Sequence, residues 1–333
     1  MTHPTASSLM FVELLADRAR QLAALRMEFT GDDAAVYADL LEDDAFRHLT
    51  AGFPCAVVSP DAAHPPAPLA EALQEAGCKL VPPPAVCVAE NVFEAPPPSG
   101  AMWIAGDWYM APPSRAVNTQ AASKTIALQL VQLVTADADT HEIEAVLRQD
   151  PALSYHLLRI VNSLGMGMSK KITSFSQAIL ILGRAQLRRW LNLMLFSSRE
   201  GDERSAMLLA RVAVRARLME LAGKAAGMDK SAQDTAFMAG MFSLLGVLFG
   251  MPLAEVLKPL KIDETVSAAL LQKEGPLGQL LALSEAAEAR DAAATAAMLA
   301  DLDVPAAEFN LALVQATNWM VEVIRSNRGS GNA

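Results

Sequence analysis

Fourteen of the nineteen prolines lie at or before Pro113. Proline removes a backbone donor and breaks helix interiors. The first third of the chain therefore has to be built from short elements, while the rest is free to form long helices. The shift places a boundary near residues 112–120 and divides the chain into 1–116 and 117–333. Before the boundary, Leu9 to Leu15 and Leu22 to Phe29 predict a strand pair. Ala56 to Val58, Lys79 to Val81, Ala85 to Ala89 and Met102 to Ile104 predict short strands. Ala34 to Leu49 and Leu69 to Ala76 predict helices. Alternation of this kind makes a small α/β domain. The fold class expected is α+β overall, with that domain followed by an all-α bundle.

From His141 to Ser198 the chain is punctuated into helices. Ile143, Val146 and Leu147 recur at helical spacing before Asp150-Pro151, a cap and first-turn pair. Leu153, Leu157, Leu158 and Val161 follow, then a loop with two glycines over Ser163 to Lys171. Ser174 and Gln177 form a capping box, and Gly183 stops the helix it opens. Leu187, Trp190, Leu191, Met194 and Leu195 give the i, i+3, i+4 stripe of a half-buried helix.

The segment DPALSYHLLRIVNS, then Ile172-Thr173-Ser174, then AILILGRAQL from Ala178 to Leu187, resembles the HDOD signalling domain. The likeness extends more weakly to about residue 310. It implies an all-helical bundle related to the HD phosphohydrolases and carried by bacterial signalling proteins.

Three stretches of the first domain resemble a shortened EAL domain, a barrel phosphodiesterase for cyclic di-GMP. LMFVELLADRARQLAALRM resembles its opening strand, turn and strand. LAEALQEAGCKLVPPPAV resembles the helix and strand leading to its acidic metal site, and IAGDWYMAPPS resembles its final strand. About 115 residues are too few for a full barrel of ~250. Pro82 and Pro83 stand where the acidic pair belongs, and proline offers no side-chain ligand. Glu13-Leu14-Leu15 mimics the signature, but the strand order puts Leu25-Arg26-Met27 in its place.

Later helices are expected over Arg204 to Ala225, an amphipathic one closed near Gly227, and over Ala236 to Met251. Further helices are expected from Asp263 to Lys273, from Pro276 to Arg290, over Ala292 to Leu299 and over Phe309 to Ile324. The run from Thr235 to Ala254 carries no charge. Its glycines and Pro252, and a length barely reaching the ~20 residues that span a bilayer, favour a buried bundle helix over a membrane span. In the HD relatives this segment resembles G-L-L-H-D-I-G, with His-Asp as metal ligands. Here Ser243 and Leu244 occupy those two positions, and no histidine follows His156. The resemblances therefore imply a protein that is not an enzyme, with no metal or other cofactor. There is no Gly-rich phosphate loop and no nucleophile elbow.

The net charge of −10 argues against a general nucleic-acid binder, which carries a basic face. Cys55, Cys78 and Cys87 make no C-x-x-C pair, which suggests reduced thiols. With no basic segment and apolar run at the start, a cytoplasmic protein is expected. Against the acidic whole, His141 to Arg199 holds eight basic and three acidic residues, a net +5. The candidate interaction surface comprises Arg159, Asn162, Lys170, Lys171, Arg184, Arg188 and Arg189. It would dock a protein partner in a signalling pathway, or bind a cyclic di-nucleotide without hydrolysing it. Its competing reading is a solvated helix face. The expected function is a regulatory scaffold acting through the HDOD domain.

Overall fold

A computed structural model describes residues 8–31, 33–58, 68–89, 99–111, 129–130, 132–133, 135–136, 138–147, the single positions 189, 192, 193 and 196, then 202–260 and 262–328. The chain opens with a strand pair, β1 (Met10–Ala16) and β2 (Leu22–Phe29). They run antiparallel with Glu13 opposite Arg26, and the Asp17 carboxylate closes the turn by accepting from Gln21 N at 2.8 Å. Two helices follow, α1 (Ala34–Glu42) and α2 (Asp44–Gly52). The expected single helix from Ala34 to Leu49 is broken because Asp43 adopts extended backbone and caps the second helix, accepting from Ala45 N at 2.7 Å.

The sheet is completed by β3 (Cys55–Val58), helix α3 (Pro68–Glu75), β4 (Lys79–Val81), β5 (Val86–Val88) and β6 (Trp103–Ala105). The strand order is β4-β3-β2-β1-β6-β5. β2, β3 and β4 are parallel, as are β5 and β6, while β1 is antiparallel to both its neighbours. Alternate residues face opposite sides of a strand. Leu14, Leu25, Cys55 and Ile104 accordingly enter one large core, whereas Leu15, Ala24, Ala56, Trp103 and Ala105 enter a second, smaller one. This sheet is apolar on both faces, so its strands read as continuous hydrophobic runs.

Among the described residues the later helices include α4 (Thr140–Leu147), α5 (Ser205–Ala225), α6 (Lys230–Phe242), α7 (Leu245–Phe249), α8 (Leu253–Leu257), α9 (Glu264–Gln272), α10 (Gly275–Glu288), α11 (Ala292–Asp301) and α12 (Ala306–Arg328). Aspartates cap α6 and α9, with Asp229 accepting from Ala232 N and Asp263 from Thr265 N, each at 2.8 Å. Two expectations are corrected. The helix expected over Ala236 to Met251 is two, α6 and α7, interrupted at Ser243-Leu244. And α5 is not amphipathic: it packs against α6, α10, α12 and β1, and even Arg215 and Glu220 are buried along it.

The large core is continuous from the sheet into the helices. The last helix ties the two. Asn310, on α12, accepts from Met10 N at 2.9 Å and donates to Ser8 O at 2.8 Å, holding the start of β1. Leu313, Ala316, Met320 and Ile324 are buried as their spacing predicts. The chain from Lys230 to Phe249 is apolar and long enough to cross a membrane by length and composition, but 56% of its apolar window is buried inside the fold.

Candidate functional site at the sheet–helix junction

A cleft of about 480 Å³ opens where the sheet meets α5 and α10. Its apolar lining is Val12, Leu14, Val88, Val214 and Ala289, and its polar lining is Glu13, Asp107, Arg211, Glu288 and Arg290. The corner after β6 positions Asp107. Gly106 has φ +93°, and a Cβ there would lie 2.3 Å from Ala89 O, so only glycine fits this approach to β5. Its N–H donates to Glu13 Oε1 at 3.2 Å.

The charges form two linked groups. Glu13 pairs with Arg26 at 2.8 Å and with Arg290 at 3.0 Å, and Arg290 also reaches Glu28 at 3.2 Å. Glu288 pairs with Arg211 at 3.0 Å and accepts from Arg215 Nε at 2.8 Å. Arg211 in turn donates to Tyr109 OH at 2.8 Å and to Asp107. Burial opposes ionisation of Glu288, but Arg215 and Arg211 more than offset it and hold its carboxyl below the ordinary range. Burial also pushes the Tyr109 phenol up to about 12, although Arg211 works against it.

Arg215 extends this network to Ser243, donating to its Oγ at 2.9 Å, and Ser243 donates to Gly240 O at 2.7 Å. Leu244, beside it, is buried in the core. Among the described residues no group of three or more His, Cys, Asp or Glu side chains is placed to hold a metal ion. Pro82 and Pro83 lie on the exposed link between β4 and β5, where Ala85 N bonds back to Pro82 O at 3.0 Å.

Of the expected interaction surface, the structure describes Arg189, and it lies inside the fold. Its guanidinium grips Glu220 through two bonds of 2.9 and 2.8 Å, also reaches Asp234, and lies 4.3 Å from the Phe237 ring centre. Glu220 further accepts from Arg217 at 2.6 Å and Lys230 at 2.9 Å. Arg189 is thus a structural ion-pair residue and not part of an open docking face. Its charge is buried because a facing carboxylate on α5 neutralises it. Arg159, Asn162, Lys170, Lys171, Arg184 and Arg188 fall outside the described residues, as do Ser174, Gln177 and Gly183.

Residues 122–255 match the model of the HDOD domain. This chain contains an HDOD domain. Its relatives include the cyclic di-GMP phosphodiesterase CdgJ of Vibrio cholerae, 29% identical over 240 residues, covering 71% of this chain and 54% of CdgJ. YuxH of Bacillus subtilis, an uncharacterized protein, is 30% identical over 147 residues, covering 44% of this chain and 36% of YuxH. The chain therefore spans about half or less of the curated relatives it matches. A candidate phosphohydrolase from Shewanella amazonensis SB2B is a structural neighbour at TM-score 0.42 and 15% identity, covering 64% of this chain and 98% of that one. At that score the likeness carries no argument. The HDOD domain takes in α5, α6, α7 and the Ser243-Leu244 break, whereas Glu288 and Arg290 lie beyond it. Sequence reasoning missed both, and also Arg211 and Arg215, because their partners are brought in from the sheet and from α10.

Proposed function

We propose that this protein is a non-catalytic signal-transduction protein that acts as a cytoplasmic regulatory scaffold through its HDOD domain. The observation that carries the reading is the occupation of Ser243 and Leu244. Ser243 spends its hydroxyl on Gly240 O and on the Arg215 guanidinium, and Leu244 is a core side chain. A permanently charged guanidinium stands beside the first of these positions, and neither residue offers a metal an anionic or imidazole ligand.

An EAL-like ancestry for residues 1–116 is part of the same proposal. It is supported by the three quoted stretches, which fall on β1–turn–β2, on α3–turn–β4, and on β6 with the short helix after it. The prolines after β4 supply no carboxylate. Under this reading residues 117–333 are the signalling unit, and the sheet is its fixed companion through the shared core.

The test is turnover. The purified protein, with Mg²⁺ or Mn²⁺, is expected to hydrolyse neither cyclic di-GMP nor a simple phosphodiester. Metal-dependent hydrolysis that survives purification and disappears on mutating a carboxylate of this chain would overturn the reading. Co-purification of the tagged chain from its own cells is expected to return a protein partner.

A second reading is favoured by the similarity to CdgJ: a cyclic di-nucleotide effector that binds without hydrolysing. Direct titration with cyclic di-GMP separates the two, since the scaffold reading requires no binding.

A further inference from the structure

Two of the three cysteines, remote in sequence, are brought together by the sheet. β3 and β4 run parallel with Ala56 opposite Lys79. The same register sets Cys55, at the start of β3, beside Cys78, the residue that leads into β4. Both side chains enter the large core from one face of the sheet, and they are 1% and 3% exposed. Neighbouring strands lie about 4.8 Å apart. A disulfide spans about 4.4–6.8 Å between Cα atoms and needs both Cβ atoms on one side. The backbone therefore meets the spacing and the facing that such a bond requires.

Neither thiol is held firmly. Cys55 donates to Phe53 O at 3.4 Å, and Cys78 donates to Met27 Sδ at 3.8 Å. A thiol is a weak donor, so turning either side chain toward the other gives up little. The interior does restrain their reactivity. Burial pushes the Cys78 thiol up to about 12. Burial pushes the Cys55 thiol up as well, and Cys78 beside it adds to the rise. The thiolate, not the thiol, attacks a disulfide, so the closed sheet is unreactive. The way in is β4, which has three residues and stands at one end of the strand order. A short edge element opens locally at far less cost than global unfolding. Opening β4 returns Cys78 to water as an ordinary thiol.

We propose that Cys55 and Cys78 are a redox pair, joined by a reversible disulfide that fastens β4 to β3 when the surrounding small thiols are oxidised. The oxidant is a low-molecular-weight disulfide of the glutathione class. The Cys78 thiolate attacks one sulfur of that disulfide and expels its other half as a thiolate. The Cys55 thiolate then attacks the Cys78 sulfur and expels the second half. Two protein thiols give up two protons and two electrons, and one small disulfide becomes two small thiols. Excess small thiol reverses both steps, so in a reducing compartment the pair rests as thiols. The loop that the bond closes contains α3, so the restraint falls on the whole β3–α3–β4 unit. The pair stands whether or not the chain is a scaffold.

The test uses the full chain, first reduced and then equilibrated with oxidised glutathione in the absence of denaturant. Remaining thiols are blocked by alkylation, and peptides are read by mass spectrometry without reduction. The expected product is a peptide pair linked through Cys55 and Cys78, and excess reduced glutathione should reverse it. Cys87, half-buried on β5 at the other end of the strand order, is the internal control and should carry at most a glutathione adduct. Cys87→Ser should form the same link at the same rate. In the linked protein, amide exchange in β4 is expected to slow by about ten-fold or more, because the bond restrains the opened state. Circular dichroism checks that the chain stays folded throughout. The proposal is overturned if the link forms only after unfolding in urea or not at all, if Cys87 takes the place of either partner, or if β4 exchanges no more slowly once linked.

Discussion

Arg189 meets Glu220 through two parallel bonds, 2.9 and 2.8 Å long, with the carboxylate 3% exposed. Bidentate geometry of this kind is the strongest form of a charge-assisted bond. It joins the stretch that carries the HDOD signature to the central helix α5, and Lys230 and Arg217 close around the same carboxylate.

Removing that carboxylate leaves Arg189 buried with Asp234 as its remaining counter-ion. Glu220→Gln is therefore expected to destabilise the protein by about 3–5 kcal/mol, as breaking a buried pair does. Urea unfolding followed by circular dichroism measures it, and a loss below about 1 kcal/mol would show that the pair is not holding the helices.

The same group sets an acid limb. Burial raises the Glu220 carboxyl, but bonds from Arg189 and Lys230 outweigh it and hold it at about 2, against an ordinary 4.5. A folded-state value depressed in this way gives stability that is complete above the ordinary value and lost as pH falls toward the folded one. The stability gap between wild type and Glu220→Gln should be constant above pH 4.5 and shrink between 4.5 and 2. Melting temperatures of both across that range test the sign.

Gly240 sets two effects against each other. Glycine to alanine in a helix interior ordinarily gains about 1 kcal/mol. A Cβ here would lie 2.6 Å from Ala216 Cα and 3.0 Å from its nitrogen, both backbone atoms that cannot turn aside. Overpacking costs typically about 1–3 kcal/mol. Gly240→Ala should therefore destabilise, by prising α6 from α5. A stabilised variant would mean that the two helices separate without cost.

Asn310→Ala leaves Met10 N, buried at the start of β1, without its acceptor. The expected loss is about 1–3 kcal/mol. Amide exchange at Met10 should accelerate more than exchange in α12, which distinguishes local release of the strand from general loosening.

Charge reversal at Lys170, Lys171 and Arg188 is expected to leave the melting temperature nearly unchanged while weakening capture of a signalling partner, and raised salt should mimic it. The docking-face proposal fails if the triple variant captures its partner normally across the salt range. Arg189 belongs to a different class in the same stretch, since its loss should unfold.

Local chemistry was legible along the chain. The proline shift, the strands over Cys55–Val58 and Lys79–Val81, and the buried stripe of α12 are properties of neighbours in sequence. So was the identity of Ser243, Leu244, Pro82 and Pro83, none of which carries a carboxylate or an imidazole in any fold. The HDOD signature was legible for the same reason. The break at Asp43 and the split between α6 and α7 were not, since both helical patterns continue across them.

Tertiary structure alone decided where the charges went. Nothing within α5 marks Arg211, Arg215 and Glu220 as interior, because an arginine at such spacing is ordinarily a solvated one. Their partners are remote in the chain: Asp107 and Tyr109 after the last strand, Glu288 on α10, Arg189 before α5. Burying a charge is unfavourable unless an opposite charge meets it there. Which carboxylate meets which guanidinium is fixed by the packing of sheet on helices, and so is the cleft that Asp107, Arg211 and Glu288 line.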